Sequence, residues 1–255
     1  MAAVSVVGMT TLLLTPVGAR ADEADATRLL KAMSDYLAAQ KAMAFDYDTT
    51  LEVVTSEEQM LSLASSGNLA LVRPNKIRAA RSSGFADVER FFDGKTLTIL
   101  GKNLNGYAQA DFSGSLEQLI DELRTEYNRP IPAADLLLSN PYDELVRGVV
   151  DIKDLGSGSI QGVECDHLAF RAEQVDWQIW ITQGQRPYPC RFIIASKVIE
   201  REPQYSITFS NWKTGDQVDS SGFTFKNSTN ARKVDLAKLK DSNELPDNFV
   251  IEASE

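Results

Sequence analysis

Few residues in this 255-residue chain have types suited to covalent or acid–base chemistry. It carries one histidine, His167, and two cysteines, Cys165 and Cys190. Cys165-x-His167 sets a nucleophile close to a base. Alternate residues of a strand project in parallel, however, and no third group is spaced to orient the imidazole, so the pair reads as structural. Gly156-Ser-Gly-Ser lacks the Gly-x-Ser-x-Gly order of a nucleophile elbow. No zinc-site spacing and no Cys-x-x-Cys pair occurs. The acidic residues are spread over strand and helix surfaces without forming a carboxylate pair. The chain therefore reads as non-enzymatic, without cofactor or metal. One charge stands out instead. Leu69, Leu71 and Arg73 fall on one side of an extended stretch that ends at Pro74. A buried, unpaired guanidinium is very costly. Arg73 must therefore meet a partner or a ligand, or else be solvated at the strand end.

Composition narrows the partners. The net charge of −10 argues against nucleic acid, which selects a basic face, and against general adhesion to an anionic membrane. Hydrophobic content of 43% is ordinary for a globular protein. No linker long enough to separate two domains is found, nor any repeat of fixed period. Val4–Val17 is an apolar run of signal-peptide length, short for a membrane span, and Ala19-Arg20-Ala21 fits the small-x-small cleavage rule. Residues 1–21 are thus expected to be a signal peptide, with residues 22–255 as a single mature domain in the periplasm. Export to an oxidising compartment permits Cys165 to bond to Cys190. They lie on neighbouring strand candidates, 163–170 and 188–194; two buried free thiols are the alternative.

The elements that position these residues follow from periodicity. Asp25–Ala42 has a helical apolar stripe of Leu29, Leu30, Met33, Tyr36 and Leu37. Phe45, Tyr47, Leu51 and Val53 alternate with polar residues as a half-buried strand, and Leu61 and Leu63 resume the alternation. Asp93-Gly94 is a hairpin signal leading into Leu97 and Ile99. Strands are expected at 88–92, 97–100 and 107–110. The period then changes: Leu116, Leu119, Ile120, Leu123 and Tyr127 form one helical stripe, opened by a Ser115–Gln118 capping box. Residues 133–138 and 141–146 read as two further short helices, with Pro141 at a first helical position. Strands return at 149–155, 163–170, 177–181, 188–199 and 204–212, with Gly156-Ser-Gly-Ser as one of the turns. Phe223–Phe225 is a candidate last strand, and 227–240 reads as loop. About ten antiparallel strands must curl. With helices on one face, the architecture is α+β: a strongly curved antiparallel sheet, an open half-barrel, whose concave face the helices cover.

These residues also carry a resemblance. Leu69-Ala-Leu-Val-Arg-Pro-Asn75, followed by a strand and Asp93-Gly-Lys-Thr-Leu97, resembles the signature of periplasmic lipoprotein carriers of the LolA/LolB type. Tyr205-Ser-Ile-Thr-Phe-Ser-Asn-Trp212, Phe223-Thr-Phe225 and Leu245-Pro-Asp-Asn-Phe249 keep the order of that superfamily's last strands and tail. The chain resembles most closely a family of predicted periplasmic proteins of unknown function within it. The resemblance implies a monomeric carrier or binding protein for a lipid or acylated protein, held in an apolar cavity between sheet and helices. In those carriers the matching arginine bonds to the backbone of the helical lid, which implies a latch role for Arg73. The cavity residues would be Leu69, Leu71, Leu97, Ile99, Leu116, Leu119, Ile120, Leu123 and Tyr127. An envelope structural or interaction protein with a filled core, for instance a partner of a membrane protein, is the alternative.

Overall fold

The computed structural model describes residues 21–84, 86–125 and 133–235. The expected signal peptide, apart from its last residue, and the tail beyond 235 lie outside these residues, as does Tyr127. The described residues open with helix α1 (Ala21–Ala39), which buries Ala26, Leu30, Met33 and Leu37. Six strands follow: β1 (Ala42–Val54), β2 (Met60–Val72), β3 (Lys76–Ser83), β4 (Asp87–Phe92), β5 (Thr96–Gly101) and β6 (Gly106–Asp111). A helical segment comes next, made of α2 (Leu116–Thr125), a 3-10 helix (Ala134–Leu137) and α3 (Pro141–Leu145). Five more strands then run β7 (Val149–Ile160), β8 (Val163–Ala172), β9 (Val175–Thr182), β10 (Pro189–Ser196) and β11 (Gln204–Thr214). Last is the two-residue β12 (Arg232–Lys233).

The twelve strands of the described residues belong to one open, curved sheet, in the order β12-β6-β5-β4-β3-β2-β1-β11-β10-β9-β8-β7. β1 to β6 form an antiparallel meander running outward from the centre. β7 to β11 form a second meander running inward, and the β1–β11 pair joins the two. The chain must therefore pass from β6, near one edge, to β7 at the other. At about 4.8 Å per strand that is roughly 50 Å on a flat sheet. The helical segment makes this crossing over the concave face. This is why the change of period falls between the two runs of strands.

The inward faces meet in register. Met43, Leu71, Ile77, Phe92 and Leu97 are successive cross-strand neighbours from β1 to β5. Each is less than one-tenth exposed, and they form a single core with the apolar faces of α1, α2 and α3. Phe45 meets Phe209 edge-on at 5.3 Å across the centre of the sheet. The opposite, outer face carries a second, small core. Phe91 and Leu100 point outward and are covered by Phe225 and Ala231 of the segment that follows β11.

The structure corrects several readings of the sequence. β3 was not anticipated, because its inward positions include only Ile77 and the small Ala79 as buried apolar residues. Gly156-Ser-Gly-Ser is not a turn. It continues β7 through a bulge between Asp154 and Ser157, where Gly156 takes φ +84°. The β7–β8 turn is Gln161-Gly162, both at positive φ. Phe223–Phe225 is not a strand; the Phe225 ring packs onto the outer face instead, against Phe91 and Tyr107. The last strand lies within the stretch read as loop, and it pairs with β6 in parallel. α1 ends at Ala39 and β10 at Ser196, each earlier than its pattern suggested. Cys165 and Cys190 are not on adjacent strands: β9 lies between β8 and β10.

Candidate functional site

Arg73 stands at the corner where β2 ends. Its N–H donates to the Lys41 carbonyl at 2.8 Å, and the Arg73–Pro74 peptide is cis as the chain turns into β3. Leu69 and Leu71 are buried on the same side of the strand, so the arginine side chain enters the concave face beside them. It does not reach solvent freely; its side chain is only 15% exposed. Nε donates to the Gln40 carbonyl at 3.2 Å, one residue beyond α1. Nη2 donates to the Leu138 carbonyl at 3.1 Å, the residue that closes the 3-10 helix. Nη1 lies 3.7 Å from the Glu117 carboxylate in the first turn of α2. Helix ends leave carbonyls without intrahelical partners, and a guanidinium carries enough donors to serve several at once.

One side chain thus ties three helical elements to one corner of the sheet. A main-chain bond adds to the tie, because Leu116 donates its N–H to the Pro74 carbonyl at 2.9 Å. α2 begins here through the expected capping box: Gln118 Oε1 accepts from the Ser115 N–H at 2.8 Å, and Ser115 Oγ accepts from the Gln118 N–H at 3.3 Å. The charges respond to their surroundings. Burial lowers the affinity of Arg73 for its proton, and Glu117 opposes that shift. For Glu117, burial favours the neutral acid. Hydrogen bonds from its own N–H and from the hydroxyls of Ser115 and Ser139, together with Arg73, outweigh burial and hold the carboxyl below its ordinary range.

Beyond the corner, Leu116, Leu119 and Leu123 of α2 lie in the same apolar cluster as Leu69, Leu71, Leu97 and Ile99. Ile120 is also buried. The structure therefore brings eight of the ten residues expected at the cavity and latch together, Arg73 included; Ile120 is buried outside that cluster, and Tyr127 falls outside the described residues. Glu117, Gln40 and Leu138 were missed. Glu117 stands off the apolar stripe of α2, where a charge reads as solvent-facing. Gln40 and Leu138 contribute only backbone oxygens, for which side-chain identity gives no signal.

The other chemical candidates have structural roles. His167 stacks on Trp180 with ring centroids 3.9 Å apart, and its Nε2 lies 2.9 Å from Gln178 Oε1. Cys165 is bonded to Cys190 and is not a thiol. Among the described residues, no group of His, Cys, Asp and Glu is arranged to hold a metal ion.

A wide, curved sheet with a helical segment crossing its concave face, pinned by a half-hidden arginine, defines the class of fold. Residues 26–237 match the family described as predicted periplasmic protein (DUF2092), and the chain belongs to that family. No curated protein matches it. Among solved structures it is similar to the lipoprotein LppX of Mycobacterium tuberculosis, at 13% identity over 77% of this chain and 100% of that one, with a TM-score of 0.39. LprF of Mycobacterium bovis is similar at 12% identity, over 78% of this chain and 99% of its own, with a TM-score of 0.43. The LolA superfamily protein NE2245 of Nitrosomonas europaea is similar at 11% identity, over 78% and 97%, with a TM-score of 0.28. At TM-scores this low, the likenesses carry no statement about ligand or partner.

Proposed function

We propose that this is a non-enzymatic periplasmic binding or carrier protein, whose ligand is a lipid or the acyl group of a lipid-modified protein, taken up between α2 and the concave face. The observation that carries this reading is the Arg73 tie. A single cation closes the helical segment onto an apolar face through bonds that can all be exchanged for water, so the closed state can compete with a ligand rather than exclude it. Magnitudes support the exchange. The four buried apolar residues of α2 contribute about 1.5–3 kcal/mol each when covered. A buried acyl chain contributes about 0.8 kcal/mol per methylene, so a chain of roughly ten to fifteen carbons is of the size to replace that burial. The family's description, predicted periplasmic protein, supports a periplasmic location. Cleavage after Ala21 then yields a mature monomeric domain of residues 22–255.

A second reading is favoured by one observation, the membership of Leu116, Leu119 and Leu123 in a continuous core with the sheet. In it the helix is fixed, and the protein is an envelope interaction protein. Native mass spectrometry of the protein purified from its own periplasm separates the two. The carrier reading expects a mature chain starting at Asp22, with an adduct of lipid mass that is lost on activation. A chain that carries no adduct and takes up no fluorescent fatty acid would leave the second reading standing.

A further inference from the structure

The outer face of the sheet holds a feature that the inner-face reading does not use. Residues 218–231 cross β4 to β6 as a strap, pinned by Phe225 and Ala231 over Phe91 and Leu100. Between this strap and β3–β5 runs a groove of about 800 Å³. Five basic side chains and two acidic ones line it, in a protein whose net charge is −10. The two carboxylates are already engaged. Buried Glu89 accepts from Arg78 Nε at 2.7 Å, with Lys102 Nζ 3.7 Å away. Asp93 accepts from the Lys95 and Thr96 N–H groups at 3.0 Å each. Lys76, Lys95 and Lys226 are exposed and form no ion pair with another described residue.

We propose that this groove binds an extended acidic polypeptide segment of another protein, laid beside the strap. Three observations select this class. Arg78 and Lys102 are neutralised by Glu89 and Asp87, and the charge left over, on Lys76, Lys95 and Lys226, is opposite to that of the molecule as a whole, so it attracts anions where the rest of the surface repels them. Its outward cations Lys76 and Arg78 are alternate residues of β3, about 7 Å apart, with Lys76 unpaired and Arg78 held by Glu89. That is also the spacing of same-side carboxylates on an extended chain. Finally, among the described residues the backbone N–H and C=O groups of Gly222–Phe225 make no backbone–backbone hydrogen bond, so the strap offers a main-chain edge next to the cations. A lipid would need an apolar tunnel for its chains, whereas the apolar floor is already covered by the strap itself: Phe91 and Leu100 are less than one-tenth exposed. The proposal concerns the opposite face from the Arg73 corner and stands or falls independently of the carrier reading.

The test is fluorescence anisotropy of the full mature protein with a labelled peptide alternating Glu and Val, about eight residues long so as to span the groove at about 3.4 Å per residue. Saturable binding is expected. It should weaken about tenfold or more in Lys76→Glu with Lys95→Glu, and also when salt is raised to about 0.3 M. The charge-matched pair Lys31→Glu with Lys213→Glu, remote from the groove, should stay within about twofold of wild type. Peptide N-methylated at alternate residues should bind at least about tenfold more weakly, because it loses the main-chain bonds. Equal losses in both double variants would reduce the effect to net charge and overturn the site. Absence of saturable binding would overturn it too. So would sedimentation with phosphatidylglycerol vesicles through the same lysines while the peptide fails to bind.

Discussion

Arg73 and Glu117 show how far one residue's surroundings decide its role. On an exposed strand end the arginine would be a solvated charge. Here it is half-buried and bonded to two helix-terminal carbonyls, interactions of a kind that contribute about 1.5–3 kcal/mol when one partner is charged. Glu117 gives the corner a pH dependence. Its carboxyl is held below the ordinary value of 4.5, so it stabilises the docked helix above that value and the contribution is lost as pH falls through the lowered one. Hydrogen exchange at the Leu119 and Leu123 amides should therefore show weaker protection in acid than at neutral pH, and Glu117→Gln should remove that difference. An acid dependence that survives Glu117→Gln would assign it to another group. The disulfide is a second residue-scale feature. It joins positions 25 apart in sequence, a loop whose closure contributes about 3–4 kcal/mol in the chain-entropy model. Replacing both Cys165 and Cys190 with Ala should lower the unfolding free energy in urea by about that amount; an unchanged midpoint would contradict it.

At the scale of elements, α2 was the most legible. Its 3.6-residue stripe and its capping box were both readable, and Leu116, Leu119, Ile120 and Leu123 are the residues it buries. Leu119→Asp places a charge in that interface. It should lower stability by several kcal/mol and abolish uptake of an apolar probe, whereas wild-type uptake with a destabilised Leu119→Asp would separate folding from binding. β3 was not legible, because a strand that buries an alanine and exposes arginines has almost no hydrophobic alternation. The strap was missed for a related reason: two phenylalanines separated by one residue read as a strand, yet Phe225 serves a second core on the outer face. β2 has a requirement that only the packing reveals. Tyr47 reaches over Gly67 to donate to the Ala80 carbonyl at 3.0 Å, and a Cβ on Gly67 would run into the Ala80 backbone oxygen and lie 2.5 Å from the tyrosine ring. Gly67→Ala should therefore destabilise the sheet by about 1–3 kcal/mol, read as a lower thermal midpoint; a neutral effect would mean that β2 and β3 can move apart locally, and Tyr47 aside, without cost.

The whole molecule follows from one topological fact. Two meanders grow from opposite sides of the β1–β11 seam, so the chain between them has to cross the sheet, and that crossing segment covers the concave face. The class of fold was legible because alternation and its interruption both survive in the sequence. The closure was only half legible. The register of Arg73 with Leu69 and Leu71 could be read, but its partners lie 33 and 65 residues away and are backbone oxygens. The central claim is that this closure competes with a bound lipid. The direct measurement is the dissociation rate of a fluorescent fatty acid from wild type, from Arg73→Leu, and from Lys213→Leu as an exposed control. Leucine suits the apolar side of β2, so Arg73→Leu should stay folded. Losing the tie removes the closed state that displaces ligand, so release from Arg73→Leu should be slower by up to about tenfold for each 1.4 kcal/mol of differential stability lost. Lys213→Leu should match wild type. Equal off-rates for all three proteins would contradict the latch and leave Arg73 as a structural tie in a fixed core.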